Sequence, residues 1–401
     1  MKALLVHPGT QHSFRLARQL QRHGYLGRFC TGFAYVPNSV LGHGIDHLPM
    51  CIRKSFSSRR LEGVSAERLR ARPLIEYRAL RRLRAGEDFQ TVMFERNAAF
   101  QRWLPNRELG DCDAVIGFDT SSWLLAERAA ALGRPLFLDQ SIGHPRSYQE
   151  MLSMLHRQFP EWAEDVRPRL PELLRAEEAE HRLASRVVVG SSFARRTLID
   201  HGVPEEKIVV NPYGVDLEAF SPAPRPDLSR PLRFLFLGSI GARKGVPLLL
   251  KAWESLATDK AELWLAGSLS DRNRRLIRPL PGLRIIGKVP RHELPNLLHQ
   301  CDVLVLPSYF EGFPLVQLEA LASGLPIIGT EATGAPDLIT DGVEGYVTEV
   351  GDAEALRDKL SKFIASPSDL TNMSMAARHC AERYSWDAYG DRWTSILRQA
   401  A

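Results

Sequence analysis

Glu311 and Glu319 stand eight positions apart in the stretch LPSYFEGFPLVQLEALASGLPIIGT, with Gly312, Pro314 and the start of an apolar helical pattern between them. Carboxylates accept hydrogen bonds, and hydroxyl-rich sugars offer donors. Upstream, LFLGSIGARKGVPLLL ends a strand pattern at Gly238, carries Gly241, Arg243, Lys244 and Gly245 in a loop, and opens a helix. Small residues let backbone approach a ligand, and two fixed cations suit a phosphate. The order G-x-x-x-x-G-K-[ST] is missing, so this is not a P-loop. Taken alone, the loop also reads as a basic surface turn.

The two stretches together say more. DVLVLPS predicts a buried strand, YFEGF the loop after it, Pro314 the first helical position, and LVQLEALAS a helix ending at Gly324. Free amides near Leu315 and Val316 would then carry roughly half a unit of positive charge. A diphosphate held between that helix start and Arg243/Lys244 leaves Glu311 for hydroxyls on one side and Glu319 for a ribose on the other. The bland alternatives are a helix-dipole role for Glu319 and an ordinary loop acid at Glu311.

These residues need elements to position them. MKALLVHP followed by GTQHSFRLARQLQRHG predicts strand, loop and helix, with Gly24 as the C-terminal stop. DAVIGFD, RPLFLDQS, SRVVVGSSFARRTLIDHGV and KIVVNPYG continue the alternation, and NPYGVDLEAFSPAPRPDLSRP breaks it with Pro and polar residues. The rhythm restarts with LRFLFLGS and KGVPLLLKAWESL, then AELWLAG, LRIIGKV, DVLVLPS and LPIIGT. Such alternation implies a doubly wound parallel sheet in each half, with a cleft at the carboxyl ends of the strands. The expected organisation is an α/β domain over 1–210, a linker over 211–230, a second α/β domain over 231–380, and a last helix over 381–401 that packs back on the first.

Composition narrows the class. Of 401 residues 44% are hydrophobic and 25% charged, as in a globular chain with a full core. Cys30, Cys51, Cys112, Cys301 and Cys380 have no metal or redox spacing, which points to a reducing, cytoplasmic setting. No apolar run approaches the roughly 20 residues of a membrane helix. Residues 1–210 carry 31 Lys and Arg against 24 Asp and Glu, while 211–401 carry 21 against 23. From Arg53 to Arg84 there are 11 bases and three acids, with Leu74, Tyr77 and Leu80 at helical spacing beside Arg78, Arg81 and Arg82. This is either a solvated face or a surface for anionic lipid at the inner side of a membrane, or for a negatively charged acceptor. Nothing resembles a nucleic-acid motif. Asp111-Cys112-Asp113 matches a D-x-D metal pattern but precedes the AVIGF strand, so it reads as a solvated strand entrance.

FEGFPLVQLEALASGLPII, preceded by the RKG loop, resembles the retaining GT-B glycosyltransferases of sequence family 4. ATGAPDLITDGVEGYVTEVGD and ERYSWDAYGDRW resemble the same family, and the likeness runs over about residues 180–395. The resemblance implies two Rossmann-like domains and a nucleoside-diphosphate sugar bound mainly by the C-terminal one. It places Glu311 at the donor sugar, Gly312, Phe313 and Leu315 around sugar and phosphate, Glu319 at the ribose, and Lys244 at the diphosphate, with Val316 joining the donor-binding set through its free amide. His144 in DQSIGHP matches a histidine near the transferred sugar or is an ordinary loop residue. Gly9 matches the glycine of the first loop. Ser239 stands where many members carry Arg, a charge Arg243 would supply. Base contacts are expected near Gly287–Val289, including Lys288 and Val289. The implied chemistry is metal-independent transfer with retention to a glycan or lipid-linked acceptor, without enzymic nucleophile or cofactor, the donor phosphate taking the acceptor proton. The alternative is a non-catalytic nucleotide-sugar binder or scaffold of the same fold.

Overall fold

The computed structural model describes residues 1–37, 39–47, 56–164, 166–222 and 230–399. Cys51, Arg53 and Lys54, and the Pro-rich segment 223–229, lie outside the described residues. The N-terminal sheet has seven parallel strands: β1 (Ala3–His7), β2 (Leu26–Thr31), β3 (Leu69–Ala71), β4 (Ala114–Phe118), β5 (Leu136–Gln140), β6 (Arg186–Val189) and β7 (Ile208–Val210). Their spatial order is β3-β2-β1-β4-β5-β6-β7, with Leu5 facing Ile116 and Phe118 facing Asp139. Every residue of β1 is buried, as expected for a strand covered on both faces. Alternation divides them: Ala3 and Leu5 join one core cluster, Leu4 and Val6 the other.

The helices that bear on the cleft are α1 (Ser13–Arg22), α2 (Pro73–Arg84), α3 (Phe89–Trp103), α4 (Trp123–Ala131), α5 (Pro145–Gln158), α6 (Pro171–Leu183) and α7 (Ser192–Asp200). In the C-terminal half, β8 (Leu232–Leu237), β9 (Ala261–Ala266), β10 (Leu283–Gly287), β11 (Val303–Leu306), β12 (Ile327–Thr330) and β13 (Gly345–Thr348) form a second parallel sheet, ordered β10-β9-β8-β11-β12-β13. Its cleft helices are α8 (Val246–Glu254) and α9 (Leu315–Ala322). The last helix, α10 (Trp386–Gln399), crosses back to the first half. There Gln19 Nε2 donates to Asp387 Oδ1 at 3.0 Å, Tyr389 Oη to Asp139 Oδ2 at 3.2 Å and Arg392 Nε to Asn211 Oδ1 at 2.6 Å. The segment after β7 is pinned beside it: a Cβ on Gly214 would overlap the backbone of Ser385 and Trp386.

The structure corrects the sequence reading in three places. β2, β3 and β13 lie in LGRFCT, LRA and GYVT, which lack a clean apolar run. β3 and the buried Glu76 also interrupt the basic stretch, so it is not one solvated helical face. Glu76 accepts from Arg59 and Arg96, each at 3.0 Å. Pro314 is the residue before α9 rather than its first turn, since its ψ of 115° is extended.

Candidate functional site

Each sheet reverses strand order once, between β1 and β4 and between β8 and β11. Loops at the carboxyl ends of these strands diverge and leave a crevice. In the C-terminal half the loop after β8 carries Ser239, Arg243 and Lys244, and the loop after β11 carries Glu311 to Phe313. Gly245 locks the two together. Its φ is +74°, in the left-handed region that glycine adopts freely, and a Cβ there would overlap the Pro307 carbonyl oxygen. Tyr309 N also donates to Arg243 O at 2.8 Å.

The result is a convergence of charge. Arg243 Nη1 and Lys244 Nζ both reach Glu311 Oε1 at 2.7 Å, and Arg243 Nη1 donates to Phe310 O at 2.7 Å. Ser239, Arg243 and Lys244 line a cavity of about 520 Å³ with Tyr148 and Arg167 of the N-terminal half. Arg243, Glu311, Gly312 and Phe313 line a second, of about 410 Å³, between the halves. The two cavities meet at Arg243.

Glu319 lies one turn into α9 and is buried. Burial pushes its carboxyl up, and Arg291, which binds it, works against that shift. Arg291 had no signal in the sequence reading; its side chain is 66% exposed, so the pair opens towards solvent. Leu315 and Val316 stand half-buried at the start of α9.

The remaining predicted residues are less central. His144 caps α5, its Nδ1 accepting from Arg146 N at 3.2 Å while its own N donates to Thr197 Oγ1 at 2.9 Å. It is 1% exposed and stacks on His201, and burial pushes its imidazole down to about 4. Among the described cavity linings His144 does not appear; its neighbours Ser141 and Ile142 do. Gly9 packs over its own neighbour His7, and Gln11 is the residue of that loop that reaches the cavity. Lys288 and Val289 follow the edge strand β10 and line neither of these two cavities. Asp113 accepts from Lys2 N at 2.6 Å, at the amino end of β4 and so opposite the cleft.

The N-terminal wall holds what the sequence reading missed. Asp119 and Thr120 follow β4, Ser141 follows β5, Arg96 and Asn97 come from α3, and Arg169 precedes α6; all line the cavity with Glu311. Asp119 is 4% exposed, and Ser141 Oγ donates to its Oδ2 at 2.8 Å. Burial pushes the carboxyl up to about 6; hydrogen bonds from Ser141 pull it back.

The family model described as Glycosyl transferase 4-like domain matches residues 9–214, and that described as Glycosyl transferases group 1 matches residues 223–380. The match therefore takes in the first half, beyond the stretch where motifs are readable. Over 195 residues the chain is 30% identical to the amylovoran biosynthesis glycosyltransferase AmsK of Erwinia amylovora, covering 45% of this chain and 48% of that protein. Over 238 residues it is 30% identical to a D-inositol 3-phosphate glycosyltransferase of Pseudarthrobacter chlorophenolicus, covering 54% and 57%. The matches span about half the length of these curated relatives. The fold is similar to that of Anabaena HepE in complex with UDP, with a TM-score of 0.66, 16% identity and 100% of both chains covered. It is also similar to sucrose-phosphate synthase from Thermosynechococcus elongatus, with a TM-score of 0.68, 18% identity, and 100% and 99% covered. Two parallel α/β sheets facing one cleft, with family matches across both halves, identify the chain as a member of the GT-B group 1 glycosyltransferases.

Proposed function

We propose that the protein is a retaining, metal-independent glycosyltransferase that moves a hexosyl group from a nucleoside-diphosphate sugar to a glycan or lipid-linked acceptor in polysaccharide assembly. The observation that carries this reading is the meeting of Arg243 and Lys244 on one oxygen of Glu311, on the loops flanking the strand-order reversal. Without donor, Glu311 compensates the two cations. With donor, the diphosphate takes them and the carboxylate is released to sugar hydroxyls. As the sugar–phosphate bond breaks, the departing charge falls on Arg243, Lys244 and the start of α9, so stabilisation is built in where charge develops. No enzymic nucleophile is required. Uridine donors come first, because HepE is found with UDP and with UDP-glucose. AmsK, named for amylovoran biosynthesis, favours a polysaccharide product.

A thermal-shift panel of UDP, GDP and ADP and their sugars, with magnesium or with a chelator, tests the site. One nucleotide raising the midpoint equally in both conditions, with its sugar then turned over, is the expected result. Protection without turnover would leave a binding protein; a shift that needs magnesium would remove metal independence.

The lipid-linked acceptor is favoured by the surface beside the cleft. Leu74, Tyr77 and Leu80 of α2 are 56%, 57% and 42% exposed, and Phe89, 65% exposed, stands at the rim of the cavity that holds Glu311. Arg78 and Arg81 flank the stripe exposed, whereas Arg82 is engaged by Glu87 and Glu95. No helix among the described residues is long and apolar enough to cross a membrane. The proposed location is the cytoplasmic face of a membrane, with α2 lying on anionic lipid. Arg78→Glu/Arg81→Glu should lower sedimentation with phosphatidylglycerol vesicles, and unchanged sedimentation would remove α2 as the contact.

A further inference from the structure

We propose that Arg169, in the loop before α6, selects an acceptor that carries an oxyanion, a phosphate ester or a uronate carboxylate, and holds that group between the rim at Phe89 and the cavity of Glu311. This rests on the transferase reading and names the acceptor class of the same cleft.

The charge on Arg169 is the one left over. Among the described residues, four arginines line the cavities of the cleft: Arg96, Arg167, Arg169 and Arg243. Three are engaged. Arg96 donates to Glu76 at 3.0 Å and twice to Asn97 Oδ1, at 3.0 and 2.7 Å. Arg167 donates to Asp88 Oδ2 at 2.7 Å, and Arg243 to Glu311 Oε1 at 2.7 Å. Arg169 Nη2 instead stands 3.6 Å from Glu177 Oε1, beyond hydrogen-bond length, and its Nε has no partner among the described residues. A guanidinium drawn out of water without hydrogen bonds is destabilising, and an anion that supplies them offsets the cost. Burial pushes Glu177 up to about 7, so near neutral pH it balances Arg169 only in part. The other acid that feels Arg169 is Asp119, whose Oδ2 is taken by Ser141.

The position suits an acceptor. Outside the cavity that holds Glu311 lies another of about 560 Å³, and Phe89, Gln90 and Arg169 line both. The Arg169 side chain is 22% exposed, so it is open to a group in either. The acids of the outer cavity, Glu87 and Asp88, are held by Arg82 and Arg167 and do not oppose an incoming anion with free charge.

Arg169 is also held ready. Gln90 clamps the chain on both sides of it: Nε2 donates to Pro168 O at 2.8 Å, and Oε1 accepts from Leu170 N at 3.3 Å. Its Cζ lies 5.4 Å from the centre of the Tyr148 ring, a cation–π contact that steadies the planar fork. Such a fork matches the geometry of carboxylate and phosphate oxygens. Phe89, 65% exposed at the rim, leaves an apolar face for the sugar ring or lipid chain that bears the anion.

The test uses the full chain, saturated with the nucleotide that the panel selects so that Arg243 and Lys244 are occupied. The probes are D-glucose, D-glucose 6-phosphate and D-glucuronate, read by calorimetric titration at pH 8. At least one anion should bind about tenfold or more tighter than glucose, the scale of one charge-assisted hydrogen bond. Preference for the phosphate assigns a phosphorylated acceptor, and preference for the carboxylate a uronate. Arg169→Gln should abolish the preference with nucleotide affinity unchanged. Glu177→Gln removes the carboxylate that shares Arg169 and should widen the preference, a gain that a merely structural role would not give. Equal binding of glucose and both anions, no binding of either anion, or a preference that survives Arg169→Gln overturns the inference. An unwidened preference in Glu177→Gln does so too, and decides the matter if Arg169→Gln does not fold. These results leave the transferase reading standing, whereas a wild-type chain that binds no nucleoside diphosphate overturns that reading and this inference with it.

Discussion

Glu311 binds both Arg243 and Lys244, so under the proposed function it would compete with a diphosphate for them. This separates the roles of the two partners. Glu311→Gln should hold nucleoside diphosphate at least as tightly as the wild type, yet lose transfer, because the acceptor of the sugar hydroxyls is gone. Lys244→Ala should lose both; one charge-assisted hydrogen bond is worth about 1.5–3 kcal/mol, or roughly tenfold to a hundredfold in Kd. Calorimetric titration with the selected nucleotide checks it, and weaker binding by Glu311→Gln would show that the acid helps to hold the nucleotide. As candidates, Glu311, Arg243 and Lys244 were legible in the sequence because an acid and two bases stand out by residue type between glycines and a proline. Asp119 was not. The turn that carries it is held by Glu180 of α6, 60 residues from Thr120, and a left-handed Thr120 leaves no mark in composition.

At the scale of elements, α6 shows how local pattern misleads. RAEEAEHR is almost wholly polar and charged, yet Glu177, Glu180 and His181 are buried. Glu180 explains itself by holding the Thr120 turn, whereas among the described residues Glu177 meets only Arg169, at 3.6 Å. Burial pushes Glu177 up to about 7, with Arg169 opposing. The native state therefore binds more protons than the unfolded chain between about 4.5 and 7, and stability falls as pH rises through that window. Glu177→Gln removes this term. It should match the wild type below pH 4.5 and gain stability progressively up to pH 7, by about 3 kcal/mol at most. Denaturant unfolding at several pH values checks the sign; a variant less stable at pH 7 would mean that the Arg169 pair outweighs the burial. Strands with continuous apolar runs, β1, β4 and β11 among them, were legible for the opposite reason: both faces are covered, so the pattern carries no competing signal. Short edge strands such as β3 draw on neighbours rather than on their own sequence.

The FEGF loop belongs to the whole molecule as much as to the proposed donor site. Phe310 packs against Tyr148 and Phe193, Phe313 against Tyr213, and Ser191 Oγ donates to Gly312 O at 2.5 Å. Ser192 N donates to Asp337 Oδ2 at 2.7 Å, and a Cβ on Gly312 would overlap the Ser141 carbonyl oxygen. The residues proposed to hold the donor are thus among those that close the two halves on each other, and they press the FEGF loop against the strand end beside Asp119. Closure and chemistry should therefore fail together when this approach is blocked. Gly312→Ala leaves each sheet and its core untouched but cannot let Ser141 come so near. Its melting cooperativity and its nucleotide-induced shift should persist. Its radius of gyration in small-angle scattering should exceed that of the wild type, and its kcat should fall at least tenfold, a change of about 1.4 kcal/mol in the barrier. Wild-type scattering with a wild-type rate would mean that the loop yields locally, and that the close approach of Gly312 to Ser141 is incidental to transfer.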